Sequence, residues 1–375
     1  MPSQILHTLF GEDVIEGLYR RVSPRFGIVA GKALEKIRDY HGAFALGCQG
    51  PDIFYHSRRR RPVALEYGSL LHRRGYGVFT AELLRMSLPD PPPDEDDIRG
   101  NRREKGINAL GVYALGFMTH AVLDRFCHPY IVYKTWGLDR IFHPFFERIL
   151  DALMLKTLRG QDAAAWDQAA ILADICEKPP LGLRELLARA LAAVFPGRAG
   201  KDRKLGLRVD NAFLDAAWFY RLTSPARAGP APEAGFEDDP KFLACLYPEQ
   251  LPGDIDFLNL ARRPWYYPRY SPGGLSVAAA DTRSFPEIYA GAREAALDSL
   301  APGIIRYLDT GIFPIQEAAR AIGNGGLSIQ DGEGRPCAPN FGEALPLDRV
   351  LRQQAGLRGC RLLQASFSAL SDKQL

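Results

Sequence analysis

Apolar residues recur at helical spacing through most of this chain, and the polar positions, glycines and prolines between them mark where helices begin and end. Residues 4 to 21 and 28 to 40 read as two helices, separated by Ser23-Pro24-Arg25-Phe26-Gly27. The run from Phe44 to His56 contains Gly47, Gly50 and Pro51 and reads as a loop or tight turn, with Asp52 placed where a helix could begin. A helix leads from Gly68 through His72 to about Met86. Leu88 to Glu104 is too rich in proline and charge to pack, which predicts an exposed excursion between two core helices.

The next helix, from about Gly106 to Cys127, is apolar around nearly its whole circumference and is expected to be buried on all sides. Pro129 disfavours helical geometry at the residue before it, so His128 is expected at the helix end. Pro144 suits the first turn of a helix running to about Leu158, with His143 at its mouth and Glu147 one turn inside. Further helices are predicted at roughly 163 to 176, 181 to 195, 203 to 222, 284 to 308 and 314 to 321. There is no internal repeat and no convincing run of alternating strands. The fold class is therefore all-α, a multi-helix bundle around a buried central helix. Residues 1–310 are read as one helical domain and 311–375 as a partly irregular C-terminal extension.

One stretch of the central helix carries chemistry. His120, Asp124 and His128 recur every four positions in an otherwise apolar run, so on a helix they form one narrow polar stripe. Imidazole and carboxylate together are what a zinc ion takes as ligands. An ionised Asp buried without a cation or hydrogen-bond donors would be costly by several kcal/mol. His143 and Glu147 repeat the same i, i+4 pairing.

Composition narrows the class. Apolar residues make up 46% of 375, ample for a core, and 47 Lys plus Arg against 44 Asp plus Glu give a net charge of only +3. The overall balance therefore announces neither nucleic acid nor membrane. Cys48, Cys127, Cys176, Cys245, Cys337 and Cys360 show no CxxC spacing and read as reduced thiols. The N-terminal residues lack a basic region followed by an apolar core, and Ala109 to Val122, the longest apolar run, is shorter than a bilayer span. A cytoplasmic, soluble protein with no obligate protein partner is the expectation. Locally, Arg58 to Arg61 form a dense basic cluster of a kind that attracts phosphate.

Taken singly, His7 and His72 read as ordinary helix residues and Asp52 as a helix cap. Together they precede the stripe in an ordered series: His7, Asp52, His72, His120, Asp124, His128, His143, Glu147. Five of the seven histidines belong to it, which chance would not readily give. The series resembles that of the bacterial zinc-dependent phospholipases C, whose fold is shared with the fungal single-strand-specific zinc nucleases. The segments LGCQGPDIF, GSLLH, YALGFMTHAVLDRFCHPYI and HPFFE carry the resemblance, which covers residues 1 to about 150.

The resemblance implies two to three zinc ions on the central helix and its neighbours. Asp52, His72, His120 and Asp124 would hold the first ion, and His128, His143 and Glu147 the second. Asp124 would bridge to a third shared with His7. In the family that third site is completed by an N-terminal tryptophan. Here the chain reads Met1-Pro2, so removal of Met1 would leave the Pro2 amine as the substitute, which intact-mass analysis would test.

Zinc pairs clamp both oxygens of a phosphoryl centre and activate water. The expected activity is therefore hydrolysis of a phosphodiester by a metal-bound hydroxide, with Asp52 as the catalytic residue that orients or deprotonates the water. Phe54, Tyr55 and Arg58 are the candidate substrate contacts, and the aromatic string from Trp265 to Tyr270 a candidate rim. Phospholipid, with peripheral membrane contact, is the first substrate class, and another phosphate ester is also open. Nucleic acid is the alternative, since aromatic platforms beside a basic track also suit a single strand. A non-catalytic zinc-supported module needs fewer ligands than these eight. An HD-type phosphohydrolase needs a His-Asp dipeptide, which the chain lacks.

Overall fold

The computed structural model describes residues 4–87, 108–135, 141–225, 239–265, 268–271, 274–277, 280–310, 315–327 and 344–360. Among these the fold is all-α. Its helices are α1 (Gln4–Phe26), α2 (Ile28–Asp39), α3 (His41–Cys48), a 3₁₀ helix (Gly50–His56), α4 (Leu65–Arg73), α5 (Tyr76–Ser87), α6 (Ala109–Lys134), α7 (Phe142–Arg159), α8 (Gln168–Glu177), α9 (Leu183–Val194) and α10 (Leu205–Thr223). They are followed by α11 (Pro240–Leu243), α12 (Phe285–Thr310), α13 (Ile315–Ile322) and α14 (Leu347–Leu357). One short antiparallel hairpin pairs Pro268–Ser271 with Gly274–Val277, a local departure from the helix-only expectation. The predicted excursion at 88–104 lies outside the described residues.

Burial of α6 on all sides is observed: Gly111 to Asp124 is continuously buried. Its start is capped by Asn108, whose side-chain oxygen accepts from the Gly111 N–H at 2.9 Å. Glycines let α3 approach it at backbone distance. A Cβ at Gly47 would lie 2.2 Å from the Tyr113 carbonyl oxygen, and one at Gly116 would lie 2.4 Å from that of Phe44. Gly47 is therefore a packing residue inside a helix, and the segment expected to be a loop is helical on both sides of Gly50. Only Gly50 has turn geometry, with φ +55, and its missing side chain makes room for His120, whose Cγ would meet a Cβ at 2.4 Å.

Three other boundaries differ from expectation. α1 runs on through Pro24, which falls near its C-terminal end and forfeits a single backbone bond there. The predicted helix reaching Met86 is broken at Gly75, whose φ of +78 turns α4 into α5. α6 continues past Pro129 to Lys134, because Tyr130 to Tyr133 are buried and their packing outweighs one lost hydrogen bond. Residues 315–327, beyond the expected boundary at 310, pack on the body: α13 lies against α5 and α12.

Candidate metal centre

Four elements around α6 bring the predicted residues together. α1 supplies His7, the 3₁₀ helix Asp52, the last turn of α4 His72, and the first turns of α7 His143 and Glu147. α6 itself supplies His120, Asp124 and His128. The depth of α1 is set by α7. The otherwise unpaired N–H groups of Ile5 and Leu6, in its first turn, donate to the Asp151 carboxylate at 3.2 and 2.7 Å. Gln49, just before the 3₁₀ helix, donates to the Gln4 carbonyl at 3.1 Å and so ties the Asp52 segment to the same turn.

All eight side chains are buried. Their donor atoms fall into three groups, each within 4.8 Å: His7, His120 and Asp124; Asp52, His72 and His120; His128, His143 and Glu147. Asp124 lies at the junction. One of its carboxylate oxygens is 3.3 Å from His7 Nε2 and 3.6 Å from His128 Nδ1, and the other is 3.2 Å from His120 Nε2 and 3.8 Å from His72 Nε2. Asp52 is 3.0 Å from His72 Nε2, and Glu147 is 3.2 Å from His143 Nε2 and 3.6 Å from His128 Nε2.

The donor set fits a metal. Asp52 Oδ1, His120 Nε2 and Asp124 Oδ2 are buried and close to other polar atoms, yet none makes a hydrogen bond among the described residues. Such an arrangement is costly unless something binds the converging lone pairs. The imidazoles are also oriented from behind. Nδ1 of His72 faces the Gly68 carbonyl at 2.8 Å, and Nδ1 of His120 faces that of Cys48 at 3.2 Å. Nδ1 of His128 faces the Leu327 carbonyl at 3.1 Å. A carbonyl only accepts, so each of these rings carries a proton on Nδ1 and turns Nε2 toward the cluster.

Burial pushes the three carboxyls upward but is outweighed. The contact with His72 holds Asp52 well below the usual range, and the charge of His128 with the contact to His120 does the same for Asp124. Contacts with His143 and His128 likewise hold Glu147 down. Burial also pushes His120 and His143 below the ordinary imidazole value. Three carboxylates and two neutral imidazoles are therefore present in the forms a metal ion binds. For His128 burial acts downward, but the Asp124 charge and the contact with Glu147 prevail and push it up to about 9.

Residues 7–190 match the family model described as zinc-dependent phospholipase C. This stretch is similar to that family. The match spans all eight of the predicted ligands and reaches into α9. Comparison with curated proteins and with solved structures gives no match. The match, together with the three donor groups, supports a zinc-dependent hydrolase.

Substrate candidates fare unevenly. Tyr55 is half-buried beside the cluster, its ring 4.8 Å from that of His72. Arg58 is exposed, its Nε donating to the Tyr55 carbonyl at 3.1 Å. Phe54, expected on the rim, is instead fully buried and packs edge-on against Tyr67, because the 3₁₀ turn directs it into the core. Trp265 is also buried, against Tyr130, while Tyr266 and Tyr267 lie outside the described residues. The basic cluster is fixed to α10. The N–H groups of Arg59 and Arg60 donate to Asp215, Arg60 pairs with the same carboxylate, and Arg59 stacks on Trp218.

Sequence reasoning missed several supports. Asp151 continues the His143, Glu147 spacing by one further turn and was detectable on that ground. The carbonyls of Gly68, Cys48 and Leu327 carry no sequence signal. Residues 1–3, where a substitute amine was expected, lie outside the described residues. No described helix is long and apolar enough to cross a membrane.

Proposed function

We propose that this protein hydrolyses the phosphodiester of a phospholipid in the manner of a phospholipase C, using two to three zinc ions. Asp52, His72, His120 and Asp124 would hold one ion, His128, His143 and Glu147 another, and His7 with Asp124 a third. The observation that carries the reading is Asp124, whose two oxygens lie within 3.2 to 3.8 Å of four imidazoles from three helices, as suits a bridging ligand. Zinc, when bound, would lower the pKa of coordinated water and draw charge from the phosphoryl oxygens.

Asp52 is the general base of this reading. It is ionised and has a second carboxylate oxygen beyond the one facing His72. It takes the proton of the attacking water as the new oxygen–phosphorus bond forms, and a proton passes from solvent to the glycerol oxygen as its bond to phosphorus breaks. His72 and His128, the least buried of the eight at 9% and 7%, mark the side from which substrate enters. Tyr55 would offer an aromatic wall there, and Arg58 a positive charge for the phosphate.

The test is product release by the zinc-loaded protein from phosphatidylcholine vesicles and from single-stranded DNA, each with and without a chelator. Chelator-sensitive release of phosphocholine from vesicles is expected. Release from DNA alone would replace this reading with a nuclease, and silence on both substrates with zinc bound would remove it.

A further inference from the structure

Four backbone carbonyls from residues 322–326 converge on one side chain. Arg125, next to Asp124 on α6, directs Nη1 to the Ile322 carbonyl, Nη2 to those of Gly323 and Gly325 at 3.2 and 3.0 Å, and Nε to that of Gly326 at 3.4 Å. The same segment is tied to the corner between α4 and α5. Gly75 N–H donates to the Asn324 carbonyl at 3.1 Å, Gly77 N–H to the Gly323 carbonyl at 3.0 Å, and Val78 N–H to the Asn324 side chain at 2.9 Å.

The residue that follows this strap reaches the cluster. Leu327 is fully buried; its N–H donates to the His72 carbonyl at 2.9 Å, and its own carbonyl accepts from His128 Nδ1 at 3.1 Å. One residue far beyond the matched stretch thus touches two of the candidate ligands, on different helices.

We infer that Arg125 is a positioning residue of the metal centre: by gathering the carbonyls of residues 322–326 it seats the Leu327 carbonyl against His128 Nδ1, fixing the proton and the aim of that ring. The inference rests on the zinc reading above. His128 Nδ1 has one other acceptor, the Asp124 carbonyl at 3.2 Å within its own helix, so Leu327 is what ties that nitrogen to a second element. A planar fork of donors is needed to hold several carbonyls at once, which an ammonium at the same position would not reproduce. Outer partners of this kind typically change metal affinity by about 10- to 100-fold.

The strap can also be moved from its far side. A Cβ on Gly77 would lie 2.3 Å from the Ala319 carbonyl oxygen and 2.9 Å from that of Gly323, so any side chain there displaces the strap without touching a ligand. The experiment compares full-length wild type, Arg125→Met and Gly77→Val. It measures zinc retained against graded chelator, the absorption spectrum of the cobalt-substituted protein, and melting with and without metal.

Both variants are expected to hold one zinc equivalent about 10- to 100-fold more weakly, with an altered cobalt spectrum. Should Arg125→Met fail to fold, Gly77→Val carries the comparison alone. Variants that melt earlier yet keep every zinc at wild-type affinity, with an unchanged cobalt spectrum, would reduce Arg125 to a structural tie and overturn the inference. Wild type that binds no zinc would instead remove the reading on which it rests.

Discussion

The inward faces of the two halves of α6 are both buried and are held by different physics. From Gly111 to Met118 the helix is apolar, and its place is fixed by shape, with Gly116 under α3 and the Tyr76 hydroxyl donating to the Phe117 carbonyl at 2.6 Å. From His120 to His128 the inward face is ionisable, and its place depends on compensating charge. The first half needs no ligand. The second holds a carboxylate within 4 Å of four imidazoles, two of which, His7 and His128, have values pushed above the ordinary one by the Asp124 charge despite burial. A helix can carry a polar stripe through a core when something at its far side matches the charge.

The comparison is most severely tested at Asp124. Asp124→Ala is expected to lose bound zinc and to reduce activity by more than the roughly 100-fold typical of a lost outer partner. Full metal content and activity in that variant, by elemental analysis and vesicle assay, would break the distinction between the halves. Removing metal from the wild type is the next largest effect. At free zinc about 100-fold above its dissociation constant, loading should stabilise the fold by about 2.7 kcal/mol, seen as a melting shift on adding chelator.

Gly116→Ala probes the other half. The added methyl meets the α3 backbone, so stability should fall by about 1–3 kcal/mol in denaturant titration while zinc content is unchanged. A loss of zinc there would mean that the halves are coupled.

The smallest effect concerns His56, buried and stacked on Phe219 with ring centroids 4.2 Å apart, outside the cluster. Burial pushes its value down to about 3 from an ordinary 6.5. The neutral ring is therefore compatible with the fold above pH 6.5, and protonation favours the unfolded chain as pH falls from there toward 3. His56→Phe should flatten that part of the acid limb, measured on chelated protein so that metal loss does not contribute.

What could be read from the residues followed periodicity and chemical type. The all-α class and the burial of α6 follow from apolar spacing alone, and the i, i+4 pairs of α6 and α7 mark a candidate metal site because imidazole and carboxylate have few other reasons to share a buried face. His7, Asp52 and His72 were visible only through the ordered series, since each alone resembles an ordinary helix residue. Prolines misled where tertiary packing outweighed one backbone bond, at Pro24 and Pro129. Gly47 misled because a glycine that admits a neighbouring helix looks the same in sequence as one that turns the chain. Phe54 alternates into the core through the 3₁₀ geometry, which nothing in its sequence context specifies.

The seating of α1 has a consequence for the order of assembly. The first turn of α1 is pinned by Asp151, 145 positions later than Leu6, and Gln4 also bonds Thr223, 219 positions away. During synthesis the beginning of the chain therefore waits for α7 and α10 before His7 can take its place. Contacts of such long range are slow to form. Any zinc bound through His7, as proposed above, would consequently be captured among the last events of folding, after the group on α6 and α7 has closed.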